Sequence, residues 1–199
     1  MNRSGGSVLR WVGPVVVGLA ACGSVSEPVF QIELWPEEGV PVFEATGEPL
    51  RLHGTPNRAA LVTHVVETTS GMPIEFDGTR YQTWEPGTIE VLEAAVIGGR
   101  DMDAVQHLTR EQYYSLDFPN GEWQVAPGDT IEYLQYRAEG TCFVRIEGVV
   151  VNADLCPAFL QDAFLVATEP VTEWWIHVTI GERTGWLLVD QTVLGRRSL

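Results

Sequence analysis

The stretch that decides the fold is Glu173-Trp174-Trp175-Ile176-His177-Val178-Thr179-Ile180-Gly181-Glu182-Arg183-Thr184-Gly185-Trp186-Leu187-Leu188-Val189-Asp190. Alternate positions from Trp174 to Ile180 give one apolar face of Trp, Ile, Val and Ile, and an opposite face carrying Trp175, His177 and Thr179. That period of two is the mark of a half-buried β-strand. A Gly-bounded turn and a second apolar strand complete a hairpin. Two registers compete for it. A five-residue loop, 181–185, opposes Ile180 to Trp186 and puts Asp190 on the apolar face. A four-residue loop, 182–185, opposes Ile180 to Leu187, Val178 to Val189 and His177 to Asp190. Burying a carboxylate costs more than its contacts return, so the four-residue loop is expected. Trp175, His177, Trp186 and Asp190 then share the outer face. Exposed tryptophan beside polar groups anchors peptides or glycans, which makes this strip the candidate ligand-binding site. The competing expectation is that another part of the chain packs over it.

Working outward, the chain reads as short strands separated by Gly/Pro turns every eight to twelve residues. The expected strands of the first part are Val29–Leu34, Val40–Glu44, Leu50–His53, Leu61–Thr68, Pro73–Phe76, Arg80–Trp84 and Thr88–Ile97. Those of the second are Glu122–Val125, Thr130–Arg137, Thr141–Ile146, Val149–Asn152, Phe164–Thr168, Trp174–Ile180 and Trp186–Val189. This spacing predicts a mainly β protein, a sandwich or small barrel. Between Gly98 and Gly121 the pattern changes. Thr109 and Gln112 form a capping box, with Leu108 and Tyr113 placed as a hydrophobic staple, and predict a short helix at Arg110–Ser115.

Glu147-Gly148 is a two-residue hairpin turn that opposes Val144 to Val151, Ile146 to Val149 and Cys142 to Ala153. Cys156 follows three residues later, and Pro157 suits the first position of a helical turn that curls the chain back. An even pair in an exported chain is read first as a disulfide, Cys142 with Cys156. The alternative is that Cys142 is a nucleophile with a histidine partner. A further feature is an internal echo. Residues 81–92 and 123–134 both run aromatic-Gln, a Pro-Gly turn, then Thr-Ile-Glu-x-Leu, as a duplicated β unit would.

The first 21 residues are read apart from the fold. Arg3 and Arg10 precede the apolar run Trp11–Ala21, too short and too broken by Gly and Pro for a membrane span. Leu19-Ala20-Ala21-Cys22 resembles the bacterial lipobox, which implies cleavage before Cys22 and lipidation of that cysteine. The alternative is an ordinary cleaved signal. Gly23 after the cysteine is similar to lipoproteins held at the periplasmic face of the outer membrane. Multiple acyl chains, at about 0.8 kcal/mol per buried methylene, anchor a protein stably. Removing 1–21 takes out two arginines and no acid, so the net charge moves from −15 to −17. That balance argues against nucleic acid and against docking on anionic lipid.

The segment from Gly128-Asp129-Thr130-Ile131 to Gly185-Trp186-Leu187-Leu188-Val189 resembles the bacterial SH3-like domain. That domain closes with a W-x-x-V strand, here Trp175-Ile176-His177-Val178, a turn, and a Gly-Trp-hydrophobic strand. Leu50-Arg51-Leu52-His53-Gly54-Thr55-Pro56-Asn57, then Ala60-Leu61-Val62 and Gly71-Met72-Pro73-Ile74, is similar to the family's opening run. The resemblance implies one SH3-like barrel at the C-terminus, or two in tandem, used to bind cell-wall peptide, protein or polymer without catalysis. The domains expected are a signal peptide at 1–21 and a tether with first strand at 22–39. A β-rich N-terminal domain at 40–107, a connector with helix at 108–121 and a C-terminal SH3-like domain at 122–199 follow.

No Gly-x-Ser-x-Gly, His-Glu-x-x-His, phosphate loop or dinucleotide fingerprint occurs. The four histidines, 53, 64, 107 and 177, have no ligand spacing, so no metal and no cofactor is expected. Asp101-Met102-Asp103 alternates carboxylates as a wet surface does. The function expected is non-enzymatic binding or structural work in the cell envelope, with the membrane, peptidoglycan or an envelope protein as partner. The alternative is an envelope hydrolase or its accessory subunit, using a carboxylate pair that assembles only in three dimensions.

Overall fold

The computed structural model describes residues 27–33, 41–102, 107–190 and 192–197. The signal segment, Cys22 and most of the tether lie outside the described residues. The first strands are β1 (Phe30–Ile32), β2 (Val42–Ala45), β3 (Leu50–His53), β4 (Val62–Val66), β5 (Pro73–Ile74) and β6 (Phe76–Glu85). Then come β7 (Gly87–Val91), β8 (Ala95–Asp101), β9 (His107–Leu108), helix α1 (Arg110–Ser115) and β10 (Asn120–Val125). The remainder is β11 (Thr130–Ala138), β12 (Thr141–Ile146), β13 (Val149–Ala153), β14 (Phe164–Thr168), β15 (Val171–Ile180), β16 (Arg183–Leu188) and β17 (Leu194–Arg197). The protein is mainly β, as the turn spacing predicts.

The described strands form three sheets. Sheet 1 has the order β4-β3-β16-β15-β6-β1-β9, sheet 2 the order β10-β8-β13-β12-β11-β7-β14, and a small sheet 3 the order β17-β2-β5. Among the described residues, the edge strands of each sheet do not pair with one another, so no sheet closes as a barrel. The last hairpin does not close on residues 122–170 either. β15 pairs along its length with β6, and Trp186 of β16 pairs with His53 of β3. Sheet 1 therefore mixes strands from both expected domains, and the division at 108–121 does not separate the sheets.

Three cores result. Ile176, Val178 and Leu187 of the hairpin pack with Leu50, Leu52, Phe43 and Ile74 between sheets 1 and 3. One face of sheet 2 gathers Ile89, Ile131, Val144, Val151 and Phe164. Its other face presents Leu134, Phe143 and Val150 to Phe30 and Ile32 of sheet 1 and to Tyr113 of α1. A hydrogen bond from Thr83 Oγ1 to the Leu134 carbonyl (2.6 Å) ties the two large sheets at this seam.

Several local expectations hold. The α1 capping box is complete, with Thr109 Oγ1 accepting from the Gln112 amide and Gln112 Oε1 accepting from the Thr109 amide. The Glu147-Gly148 turn aligns Cys142 with Ala153 and Val144 with Val151. Cys142 and Cys156 are disulfide-bonded, with Cα atoms 5.0 Å apart. Pro157 opens a single 3₁₀ turn. The echoed segments differ in setting. Both Thr-Ile-Glu strands lie in sheet 2 and pair antiparallel with each other, Ile131 opposite Ile89 and Glu132 opposite Thr88. The strands before them part company, β6 entering sheet 1 and β10 the edge of sheet 2. The expected Thr88–Ile97 strand is two strands, β7 and β8.

Candidate functional site

The last hairpin turns on two residues, Gly181 and Glu182. Ile180 faces Arg183, Val178 faces Gly185 and His177 faces Trp186. Neither register weighed from the sequence is the one adopted. Gly181 has φ +63°, a left-handed value that glycine accepts without strain, and Gly at the first central position favours a two-residue hairpin loop. The observed pairing differs from the four-residue-loop register by an even number of residues. An even slip leaves every side chain on its own face, so Trp175, His177 and Trp186 share the outer face as expected.

Asp190 does not join them. It lies beyond β16, where its carboxylate accepts from the Thr192 amide (2.8 Å) and its carbonyl accepts from Val193 and Leu194. The Thr192 backbone amide, then the Thr192 side chain, hold the Asp190 carboxyl below its usual range, with a smaller contribution from Arg58. The concern about a buried carboxylate, which favoured the four-residue loop over the five-residue one, does not arise at this position.

Trp175 is not available to a ligand. It is 0 % exposed. The His53 ring meets it edge-on at 5.2 Å, and its indole Nε1–H donates to Glu173 Oε2 (3.0 Å). Arg58, from the turn after β3, forms an ion pair with that same Glu173. The 54–60 segment is thus pinned over this end of the strip, and the expectation that the chain itself covers the face holds for Trp175.

The other end of the strip is open. His177 and Trp186 line a hollow of about 580 Å³ with Glu33, Asp77, Arg80 and Arg110. The indole of Trp186 reaches across β15 and lies over Gly78 of β6. A Cβ at Gly78 would stand 3.2 Å from the His177 Cβ and 3.7 Å from Trp186 Cη2, so glycine leaves room for the ring. Trp186 and His177 have ring centroids 5.2 Å apart, and the Arg80 guanidinium stands 5.6 Å from the Trp186 ring centroid. A cation over an indole face is attracted by the ring quadrupole, by about 0.5–1 kcal/mol at an exposed site.

Arg80 Nη2 meets Glu33, and His177 Nδ1 lies 2.6 Å from Asp77 Oδ1. The side chains of His177, Glu33 and Arg80 keep 29 %, 26 % and 23 % of their surface exposed, and Asp77 keeps 71 %. Arg80 Nε is buried with no acceptor, leaving one hydrogen bond of the guanidinium unmade. Glu33, Asp77 and Arg80 come from chain segments far from the hairpin, and the hairpin sequence carries no sign of them. The signal for Gly78 was present as an Asp-Gly pair but reads as a turn rather than as a floor.

Among the described residues, no group of three or more His, Cys, Asp or Glu is arranged to hold a metal ion, and no helix is long and apolar enough to cross a membrane. No protein-family model, curated protein or solved structure matches this chain.

Proposed function

We propose that this chain is a lipid-anchored envelope protein, tethered through Cys22, that binds a cell-wall peptide or glycan without catalysis. Its binding site is the hollow beside Trp186. The observation that carries the reading is the Trp186 indole, which reaches Gly78 and is bordered by Arg80, His177, Glu33 and Asp77. An aromatic face rimmed by donors and acceptors recognises a ligand with one apolar side and several polar groups. Glu33 pairs with Arg80 and Asp77 meets His177 Nδ1, an arrangement suited to positioning hydrogen bonds.

The SH3-like resemblance takes a sharper form in this reading. Leu50–His53, from its opening run, occupies β3, while Trp175–Val178 and Gly185–Leu187, from its closing signature, occupy β15 and β16. These strands are neighbours in sheet 1. That adjacency supports one SH3-like unit interrupted by residues 86–170 rather than two units in tandem.

Co-sedimentation of the full chain, in detergent micelles, with purified cell wall tests the reading. Wild-type protein is expected to pellet with the wall, and Trp186→Ala to remain in solution. Equal pelleting of both, or of neither, removes the hollow as the binding site. Trp175→Ala is unsuitable here, because it empties a buried position and unsettles the sheet itself.

A further inference from the structure

We propose that the hollow beside Trp186 takes a ligand bearing one carboxylate, which the Arg110 guanidinium holds while the ligand's apolar part lies against Trp186. This rests on the binding role proposed above and specifies the charged group of its ligand.

The charge of the lining carries the argument. The whole chain has 27 acidic residues against 12 arginines, a formal net charge of −15. The hollow departs from that balance, with two carboxylates, Glu33 and Asp77, against two guanidiniums, Arg80 and Arg110. Both carboxylates are occupied, Glu33 by the Arg80 guanidinium and Asp77 by His177 Nδ1. Among the described residues no ion pair engages Arg110. Only its backbone amide reaches toward Glu33, at 3.4 Å. The charged group left for a ligand is therefore a cation, whichever protonation state His177 holds. A cationic ligand would find no free carboxylate here and would meet two guanidiniums.

The two arginines have different roles. Arg80 is part of the wall: its side chain is 23 % exposed, it pairs with Glu33, and it stands 5.6 Å from the Trp186 ring centroid. Arg110 is exposed at the first position of α1, where the Thr109/Gln112 capping box fixes the backbone that carries it. A guanidinium is a planar fork of donors that matches the two oxygens of a carboxylate. An exposed pair of this kind adds little affinity by itself, so the ligand needs a second contact. Trp186 supplies it, as an amphipathic ring on the wall of the same hollow. The volume, about 580 Å³, suits a group of one or two residues or one sugar. The carboxylate can therefore be a peptide terminus or that of a sugar acid.

NMR titration of the full chain in micelles, followed at the Trp186 indole N–H, tests the proposal with two pairs of probes. One pair is N-acetyl-alanyl-alanine and its C-terminal amide; the other is N-acetylmuramic acid and its methyl ester. In at least one pair the acid is expected to bind about two- to fivefold tighter than its neutral form, and the pair that shows this names the source. Arg110→Gln, at an exposed position, should erase the preference without weakening the neutral form, and Arg110→Lys should keep part of it. Raising salt from about 50 to 500 mM should shrink the preference. Trp186→Phe should weaken acid and neutral forms alike. Equal binding of acid and neutral forms in both pairs, or a preference that survives Arg110→Gln, overturns the carboxylate and leaves the binding role standing. Inorganic phosphate binding as tightly as the acids, with no effect of Trp186→Phe on any probe, overturns the joint site. Binding of no probe, with cell-wall pelleting still lost in Trp186→Ala, likewise overturns the proposal alone. Binding of no probe and no pelleting removes both.

Discussion

Sheets 1 and 2 have seven strands each, and they are built in opposite ways. Sheet 2 is drawn from within residues 87–168, a span that lends only β9 to sheet 1, and its β11, β12 and β13 are joined by short turns. Sheet 1 gathers β1, β3, β4, β6, β9, β15 and β16, with β6 and β15 lying side by side although 85 residues, 86–170, separate them. Those residues leave and return at one point. A Cβ on Gly87 would stand 2.4 Å from the Thr168 carbonyl and 2.7 Å from the Pro170 nitrogen, so the outgoing and returning chains touch there and only glycine fits. The candidate site lies on the discontinuous sheet. Long-range pairing is what brings Arg80 and Asp77 of β6 beside His177 and Trp186.

The two regions are coupled through the seam where Phe30 and Ile32 meet Leu134, Phe143 and Val150, and changes on either side test how strongly. The largest effect is expected on sheet 1. Trp175→Ala empties a fully buried tryptophan site and should lower stability by about 3–5 kcal/mol, read from the urea midpoint. Hydrogen exchange in β3, β15 and β16 should rise most. A loss under about 1 kcal/mol would show that the 54–60 segment does not hold Trp175 in a packed core.

The next effect falls on sheet 2. The disulfide closes a loop with a sequence separation of 14, and in the chain-entropy model a loop of that size contributes about 3 kcal/mol. Replacing both cysteines by serine should cost near that amount, with the raised exchange centred on β11, β12 and β13. If both variants melt in one transition seen equally by two probes, the seam makes the sheets a single cooperative unit. Separate transitions would show two units in contact.

The smallest effect is a pH dependence in the core on the other face of sheet 2. Burial, and secondarily the negative charge of Glu169, push the Tyr133 phenol above its usual range. The folded protein therefore keeps a proton that the unfolded chain releases above about pH 10. Stability from this group is fully present below that pH and falls as pH rises past it. Urea midpoints measured from pH 9 to 11 should decline, and Tyr133→Phe should flatten the decline. An unchanged slope in Tyr133→Phe would place the titration elsewhere.

What the sequence determined by itself was the structure that local chemistry closes. The Thr109/Gln112 box, the Glu147-Gly148 hairpin and the alternation of Trp174 to Ile180 each involve partners within a few residues, where side-chain type and spacing nearly decide the hydrogen bonds. The disulfide was legible from an even cysteine pair, Cys142 with Cys156, in a chain expected to be exported. The face assignment of Trp175, His177 and Trp186 was also legible, because a period of two fixes the side of a strand and survives an even slip. The period says nothing of what meets each side. Only the tertiary structure decided that His53 packs on the buried Trp175, that Arg58 pairs with the Glu173 beside it, and that Glu33, Asp77 and Arg80 complete the site. The Arg58–Glu173 and Asp77–His177 contacts join residues 115 and 100 positions apart, and no local pattern encodes which distant strand will be the neighbour.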